Sequence, residues 1–288
     1  MAKAIYLGDI DSKFSDPAGS KVAIIPVPYD ETSTWGKGAD KGPAAIIEAS
    51  ANLEHYDIET DSEPYRMGIF TDEPVREKSS PGKMVEAVEK RVARHAADGK
   101  FPVVVGGEHS VSIGAMKAQA KRYKNLSILQ LDAHSDLRAE YLGSKYNHAC
   151  VMSRAKELCP IVQVGIRSMD ISEKTLLDKS RMLFAEDIRG RAGWDEAVIK
   201  MLTDNVYVTI DLDVFDPSIM PSTGTPEPGG LGWYEVLGLL RQVFHNRNVT
   251  GFDVVELCPK KEDKAPDFLA AKLIYKLVSY KFRGEIHE

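Results

Sequence analysis

A series of short, continuous apolar runs, many of them β-branched, punctuates the chain: Val22–Val27 (VAIIPV), Phe101–Val105, Leu126–Leu131, Ile161–Gly165, Val206–Asp213 and Val249–Glu256. Runs of this length bounded by turn residues predict strands. Between them lie segments with helical spacing. Gly42-Pro43 opens one that runs through Ile46 and Ile47 to Ala51, with proline suited to a first turn. Ser80 and Pro81 read as the cap and first residue of a helix that carries Met84, Val85, Val88 and Val92 on one face and ends at Gly99. Further helices are predicted near Glu173–Asp178 and over Trp194–Leu202, Trp233–Phe244 and Pro266–Phe282. Strands alternating with helices predict an α/β fold, a mostly parallel sheet covered on both sides, in a single domain spanning residues 1–288. Two long loops, Pro28–Lys41 and Asp216–Gly230, interrupt the pattern, and long loops in compact domains tend to be functional.

In a parallel sheet ligands sit beyond the carboxyl ends of the strands. His109, Asp132, His134, Asp136, Asp211, Asp213 and Glu256 all fall at such ends. In the stretch LDAHSDLR, Asp132, His134 and Asp136 occupy alternate positions, so an extended backbone would turn all three to one side. A lone D-x-D is more often a cap or turn, but neither calls for imidazole at the same period. Four aspartates carry too much negative charge for one divalent ion. Two ions roughly 3.5–4 Å apart would neutralise them and share a water, deprotonated near neutral pH, as nucleophile. Oxygen-rich ligation with a little imidazole suits Mn²⁺ better than zinc. His148 lies in the same forty-residue window of loops and strand ends as His109 and His134. His55, His95, His245 and His287 sit in helical patterns or the tail and receive no role.

Charge and composition narrow the partners. A net charge of −6 and a pI near 5.7 leave no basic footprint for nucleic acid, and no apolar run approaches the roughly 20 residues of a membrane span. Three cysteines, Cys150, Cys159 and Cys258, fit neither a disulfide framework nor a zinc pattern, and the N-terminus lacks a long apolar signal region, so a reducing cytoplasm is expected. Ser110 and Ser112 do not form a nucleophile elbow, and Gly106-Gly107 lacks dinucleotide-binding spacing. Those glycines read as permitting a tight turn.

Four motifs in order, GGEHS (Gly106–Ser110), DAHSD (Asp132–Asp136), DLDVFDPSIMPSTGTPEPGGL (Asp211–Leu231) and GFDVVELCP (Gly251–Pro259), resemble the ureohydrolases, the arginase and agmatinase family. Val27–Ser50 is similar to the agmatinase branch. The resemblance implies a three-layer α-β-α sandwich with a mostly parallel central sheet, of the arginase/deacetylase kind, and two Mn²⁺ per subunit. One would be held by His109, Asp132, Asp136 and Asp211, the other by Asp132, His134, Asp211 and Asp213, with Asp132 and Asp211 bridging. It also implies that His148 acts in proton transfer beside Glu256 and Asp136 in the catalytic set. Glu256 would receive the guanidinium, and Thr225 and Asp170 would contact substrate, although Asp170 reads equally well as a turn or helix cap. Ala149 replaces the family's usual glycine after the loop histidine. The implied products are urea and a primary amine, and the implied assembly is a trimer or hexamer.

Which guanidino compound is cleaved rests on Leu137–Asn147 (LRAEYLGSKYN), which lacks the small polar pattern by which arginases grip an α-carboxylate. This favours agmatine. Arg138 and Lys145 could still receive a carboxylate, as guanidinobutyrate would need, and aminopropylagmatine is a further candidate. A single-zinc deacetylase-like enzyme and a non-catalytic metal-binding protein are the alternatives from other classes.

Overall fold

The structure, a computed structural model, describes residues 10–285. His287 and most of the amino-terminal segment read above for a targeting signal lie outside the described residues. One parallel sheet of eight strands runs through the molecule in the order β2-β1-β3-β8-β7-β4-β5-β6. Its strands are β1 (Val22–Val27), β2 (Ile69–Thr71), β3 (Phe101–Gly106), β4 (Leu126–Leu131), β5 (Ile161–Ile166), β6 (Met182–Phe184), β7 (Asn205–Asp211) and β8 (Asn248–Val255). The helices are α1 (Gly42–Ser50), α2 (Pro81–Ala97), α3 (Ser112–Arg122), α4 (Val151–Lys156), α5 (Ala185–Ile188), α6 (Trp194–Met201), α7 (Trp233–Asn246) and α8 (Ala265–Lys281).

Why the strands read as continuous apolar runs is visible in how they divide their side chains. Val103 and Val105 of β3, Leu129 and Leu131 of β4, and Val206, Val208 and Ile210 of β7 pack with Ile46 of α1, Val198 of α6, Leu240 of α7 and Ile274 of α8. Val104, Ile128 and Tyr207, from the same strands, pack instead with Met84 and Val88 of α2, Met116 of α3 and Val151 of α4. Successive residues face opposite sides, so a strand buried on both needs apolar groups at every position. The result is the expected three-layer α-β-α sandwich.

The structure differs from the sequence reading in several places. β2 and β6, three-residue edge strands, were not predicted, and neither were α3, α4 and α5. α3 is buried around most of its girth, with Ser112, Gly114, Ala115, Met116 and Gln119 all inside, so no amphipathic stripe marks it. The helix expected near Glu173–Asp178 is absent. Ile171–Glu173 form a single 3₁₀ turn because the Glu173 side chain turns inward, its oxygens accepting from Leu137 N (2.8 Å) and Asp170 N (2.8 Å). Regular strand ends at Leu131 and Asp211, before most of the acidic residues, which therefore sit on irregular backbone.

Because every strand runs the same way, the carboxyl ends of the adjacent strands β3, β8, β7 and β4 open on one edge. Two loops close over it. Gly36 N–H donates to Gly224 O (3.3 Å), and a Cβ at Gly36 would lie 2.8 Å from that oxygen, so the two long loops meet only because glycine is there. Arg167, just past β5, holds the second loop by donating to Glu227 O (2.8 Å) and also to Asp213 O (2.6 Å).

Candidate metal centre

Each central strand delivers its ligand-type residues through a turn. Past β3, Gly107 packs so closely on Tyr29 that a Cβ would meet the Tyr29 carbonyl oxygen at 1.9 Å, and this close approach sets Glu108 and His109 beneath the first loop. Past β4, Asp132 accepts from His134 N (2.6 Å), and Asp136 adopts a left-handed φ of 51°. The three residues of DAHSD thus converge through a curled segment and not by simple alternation along a strand. Past β7, Asp211 accepts from Asp213 N (2.9 Å), while Asp213 accepts from Ala133 N (3.0 Å), stitching the two acidic turns together. Past β8, Glu256 has φ 69°, a costly conformation for a residue with a Cβ, and accepts from His109 N (2.7 Å).

The six residues expected to be ligands come together. His109 Nδ1 lies 3.1 Å from Asp132, 3.0 Å from Asp136 and 3.5 Å from Asp211 carboxylate oxygens. His134 Nδ1 lies 2.9 Å from Asp213 and 3.6 Å from Asp132. Two groups of donors able to hold a metal ion result, His109–Asp132–Asp211 and Asp132–His134–Asp213, sharing Asp132.

Several residues not anticipated from the sequence set this arrangement. His109 Nε2 faces Thr209 Oγ1 at 2.9 Å, and that hydroxyl gives its proton to Asp253 at 2.6 Å. His109 must therefore carry its hydrogen on Nε2, which leaves a lone pair on Nδ1. Nδ1 is buried, has no hydrogen-bond partner and is ringed by carboxylates. A nitrogen ringed by acidic oxygens must share them with either a proton or a metal ion, and with four aspartates gathered on two imidazoles the donor set fits divalent metal. Asp132 is steadied from behind by Gln130 (2.7 Å), itself held by Gln163 (2.6 Å). Thr209 could have been found as the inward residue two before Asp211, and Asp253 as a charge inside an apolar strand.

Electrostatics give the same picture. Burial, and then the charge of Asp132, pushes the Asp136 carboxyl up to about 7. Burial and Asp213 raise Asp211 well above the carboxylate range. Burial works to lower His134, yet Asp213 and Asp132 overcome it and raise it to about 12. Without metal the cluster would have to neutralise itself with protons on both acids and imidazoles. His148 moves the opposite way: burial lowers it to about 4, aided by His109 and His134, so its ring is neutral at pH 7.

His109, His134, Asp136, Asp211 and Asp213 line one cleft of about 290 Å³, together with Trp35, Arg138, Tyr141, His148, Asp170, Thr225 and Glu256. His148 opens a turn capped by Asn147, whose side chain accepts from Ala149 N (3.0 Å). Ala149 has no positive φ, so this turn does not require the glycine usual there. Asp170 is a turn cap that also borders the cleft. It caps the 171–173 turn by accepting from Ser172 N (3.0 Å), and it lines the cleft 3.5 Å from Arg138.

Residues 20–279 match the model of the arginase family. The chain belongs to the arginase family. A relative named N(1)-aminopropylagmatine ureohydrolase from Synechocystis is 39% identical over 91% of this chain and 90% of its own length. An agmatinase from Pyrococcus horikoshii is 32% identical over 96% of this chain and 97% of its own. The solved structure of an agmatine ureohydrolase from Thermoplasma volcanium superposes with a TM-score of 0.88 at 30% identity, covering 98% of this chain and 95% of that one. Arginase-family membership makes this chain a ureohydrolase and sets aside the deacetylase-like and non-catalytic alternatives. No helix among the described residues is long and apolar enough to cross a membrane.

Proposed function

We propose that this arginase-family enzyme hydrolyses the guanidino group of a decarboxylated amine, agmatine, to urea and putrescine, with two Mn²⁺ held by His109, Asp132, Asp136, Asp211, His134 and Asp213. The observation that carries the metal reading is the orphaned His109 Nδ1 ringed by three carboxylates. Divalent ions held by these residues would neutralise the acids and supply an acidified water as nucleophile near neutral pH. The oxygen-rich donor set supports manganese over zinc.

The protein's own groups supply the rest. Glu256, at the same cleft, offers a carboxylate that can pair with the fork of guanidinium donors and aim its carbon at the metal cluster. Asp136 takes part in moving the proton released by the water. Collapse of the tetrahedral intermediate needs a proton on the departing nitrogen, and His148, neutral at rest, can take one from solvent and pass it on. Thr225 and Asp170 line the way in, suited to the substrate's amine end.

Arg138 supports a substrate without a carboxylate. Among the described residues lining the cleft it is the one Lys or Arg, and it is already engaged: its guanidinium lies 4.3 Å over the Tyr141 ring and 3.5 Å from Asp170. A second reading, N1-aminopropylagmatine, is favoured by the name of the Synechocystis relative and by Trp35, 81% exposed on the cleft wall where a longer cationic tail could lie against it. The family resemblance supports a trimer or hexamer, and three free cysteines support a cytoplasmic setting. The test is urea release from agmatine, N1-aminopropylagmatine, arginine and guanidinobutyrate, with Mn²⁺ and with chelator. Metal-dependent urea from one of the first two is expected. Arginine as the best substrate, or no urea at all, would overturn the reading.

A further inference from the structure

Beneath His148, outside the cleft lining, one hydroxyl has three partners. Thr32 Oγ1 lies 2.9 Å from Glu108 Oε1, 3.0 Å from the His148 backbone nitrogen and 3.3 Å from His148 Nδ1. Thr32 is 9% exposed, and Glu108 is fully buried. Glu108 also accepts from Ser110 N (2.8 Å) and Ser110 Oγ (2.8 Å), so three donors converge on its two oxygens. A threonine hydroxyl has one proton and two lone pairs. With the proton directed to Glu108, both lone pairs are left to accept from His148, one from its backbone N–H and one from its ring.

We propose that Thr32, anchored by Glu108, is the positioning residue for His148: it grips backbone and ring together and holds the neutral ring as the Nδ1–H tautomer, with the Nε2 lone pair free. Nothing else among the described residues is recorded bonding the His148 ring, although Tyr141 packs against it edge-on at 6.2 Å between centroids. The consequence is directional. Nε2 first accepts a proton, from solvent or from the attacking water. The C–N bond of the tetrahedral intermediate then breaks with its electron pair going to the departing nitrogen, which takes that same proton from Nε2 and returns the ring to its starting tautomer. A ring fixed in the other tautomer would offer the cleft a donor and no acceptor.

The inference rests on the proposed role of His148 in proton transfer, and the experiment separates the two. Steady-state kinetics of the full-length Mn²⁺-loaded protein with agmatine and N1-aminopropylagmatine would compare wild type, Thr32→Val, Thr32→Ser and His148→Ala. Thr32 does not line the cleft, so Thr32→Val is expected to lower kcat about 10- to 100-fold while KM stays within about twofold, the scale at which a misplaced group loses rate. Thr32→Ser, which restores the hydroxyl, should recover most of it and guards against misfolding as the cause. Nitrogen-15 spectra of the Zn²⁺-loaded protein should show His148 protonated on Nδ1 in wild type and not held so in Thr32→Val. Full-rate turnover by Thr32→Val beside a crippled His148→Ala would overturn the clamp alone. An Nε2–H signature in wild type would overturn the tautomer, and a full-rate His148→Ala would overturn the catalytic role on which the proposal depends.

Discussion

At Asp72, under α2, a single carboxylate oxygen receives His95 Nε2 at 2.6 Å, Arg94 at 2.6 Å and Arg91 at 2.9 Å. Further along the same carboxyl edge of the sheet, past the interior strands β4 and β7, four aspartates face one another with only His109 and His134 among them, and the ligand-type nitrogen of His109 has no hydrogen-bond partner. Both places bury acid. The first carries its own cations, as does the Asp57–Lys276–Glu59 cluster that includes a lysine of α8. The second is complete only with charge from outside. Self-sufficient pairs serve the fold, whereas an acid surplus held by strained backbone at Asp136 and Glu256 costs stability and is retained for chemistry.

This contrast can be broken most sharply at the surplus itself. Asp211→Asn should cut urea release by on the order of a thousandfold, about 4 kcal/mol of lost transition-state stabilisation. In the presence of chelator the same variant should unfold at the same or higher urea than wild type, because an acid that must take up a proton to stay buried there has been replaced by a neutral amide. A clear loss of chelated-state stability would place Asp211 with the structural acids. Lys276→Met should do the reverse, costing about 3 kcal/mol in urea unfolding by stranding buried Asp57, while Mn²⁺ stoichiometry and rate per folded molecule hold.

Metal removal ranks alongside. At ion concentrations about 100- to 1,000-fold above Kd, Mn²⁺ should stabilise the wild type by about 3–4 kcal/mol, read as a fall in Tm on chelation, and should do nothing for Asp211→Asn. Thr209→Val, which frees the His109 ring, should weaken Mn²⁺ binding about 10- to 100-fold by calorimetric titration. The smallest effect belongs to the self-paired cluster. Burial raises the Asp72 carboxyl, but the hydrogen bonds from His95 and Glu73 N–H and the charge of Arg91 outweigh it and leave it below the usual range. Its stabilisation is therefore fully present above about pH 4 and is lost as pH falls through the depressed folded value. Asp72→Asn should cost about 1 kcal/mol near neutrality, a modest sum because Arg94 is half exposed and screened, and the gap from wild type should close by pH 3.

Much of the sheet could be read from the chain because buried parallel strands need apolar residues at every position, which leaves a local record. β2 and β6 left none, being three residues long and supported only by one neighbour each. The helix expected near 173–178 failed because Glu173 looked like a surface residue and is in fact 3% exposed, tethered to Leu137 N. At the site, His109, Asp132, His134 and Asp211 were legible by type and by their place past strand ends. Thr209, Asp253, Glu108 and Thr32 were not, since a buried threonine or a lone acid has many uses and its partner lies far along the chain.

The amino-acid order alone determined which groups could bind cations, and that strands would carry them, because ligand chemistry and strand periodicity are properties of residues and their immediate neighbours. Which nitrogen of His109 faces the acids, how DAHSD curls, and what stands behind His148 were decided only when β3, β4, β7 and β8 came side by side. Hydrogen bonds such as Thr209 to Asp253 and Thr32 to Glu108 join residues 44 and 76 positions apart, and a proton's place on an imidazole depends on what lies across the gap.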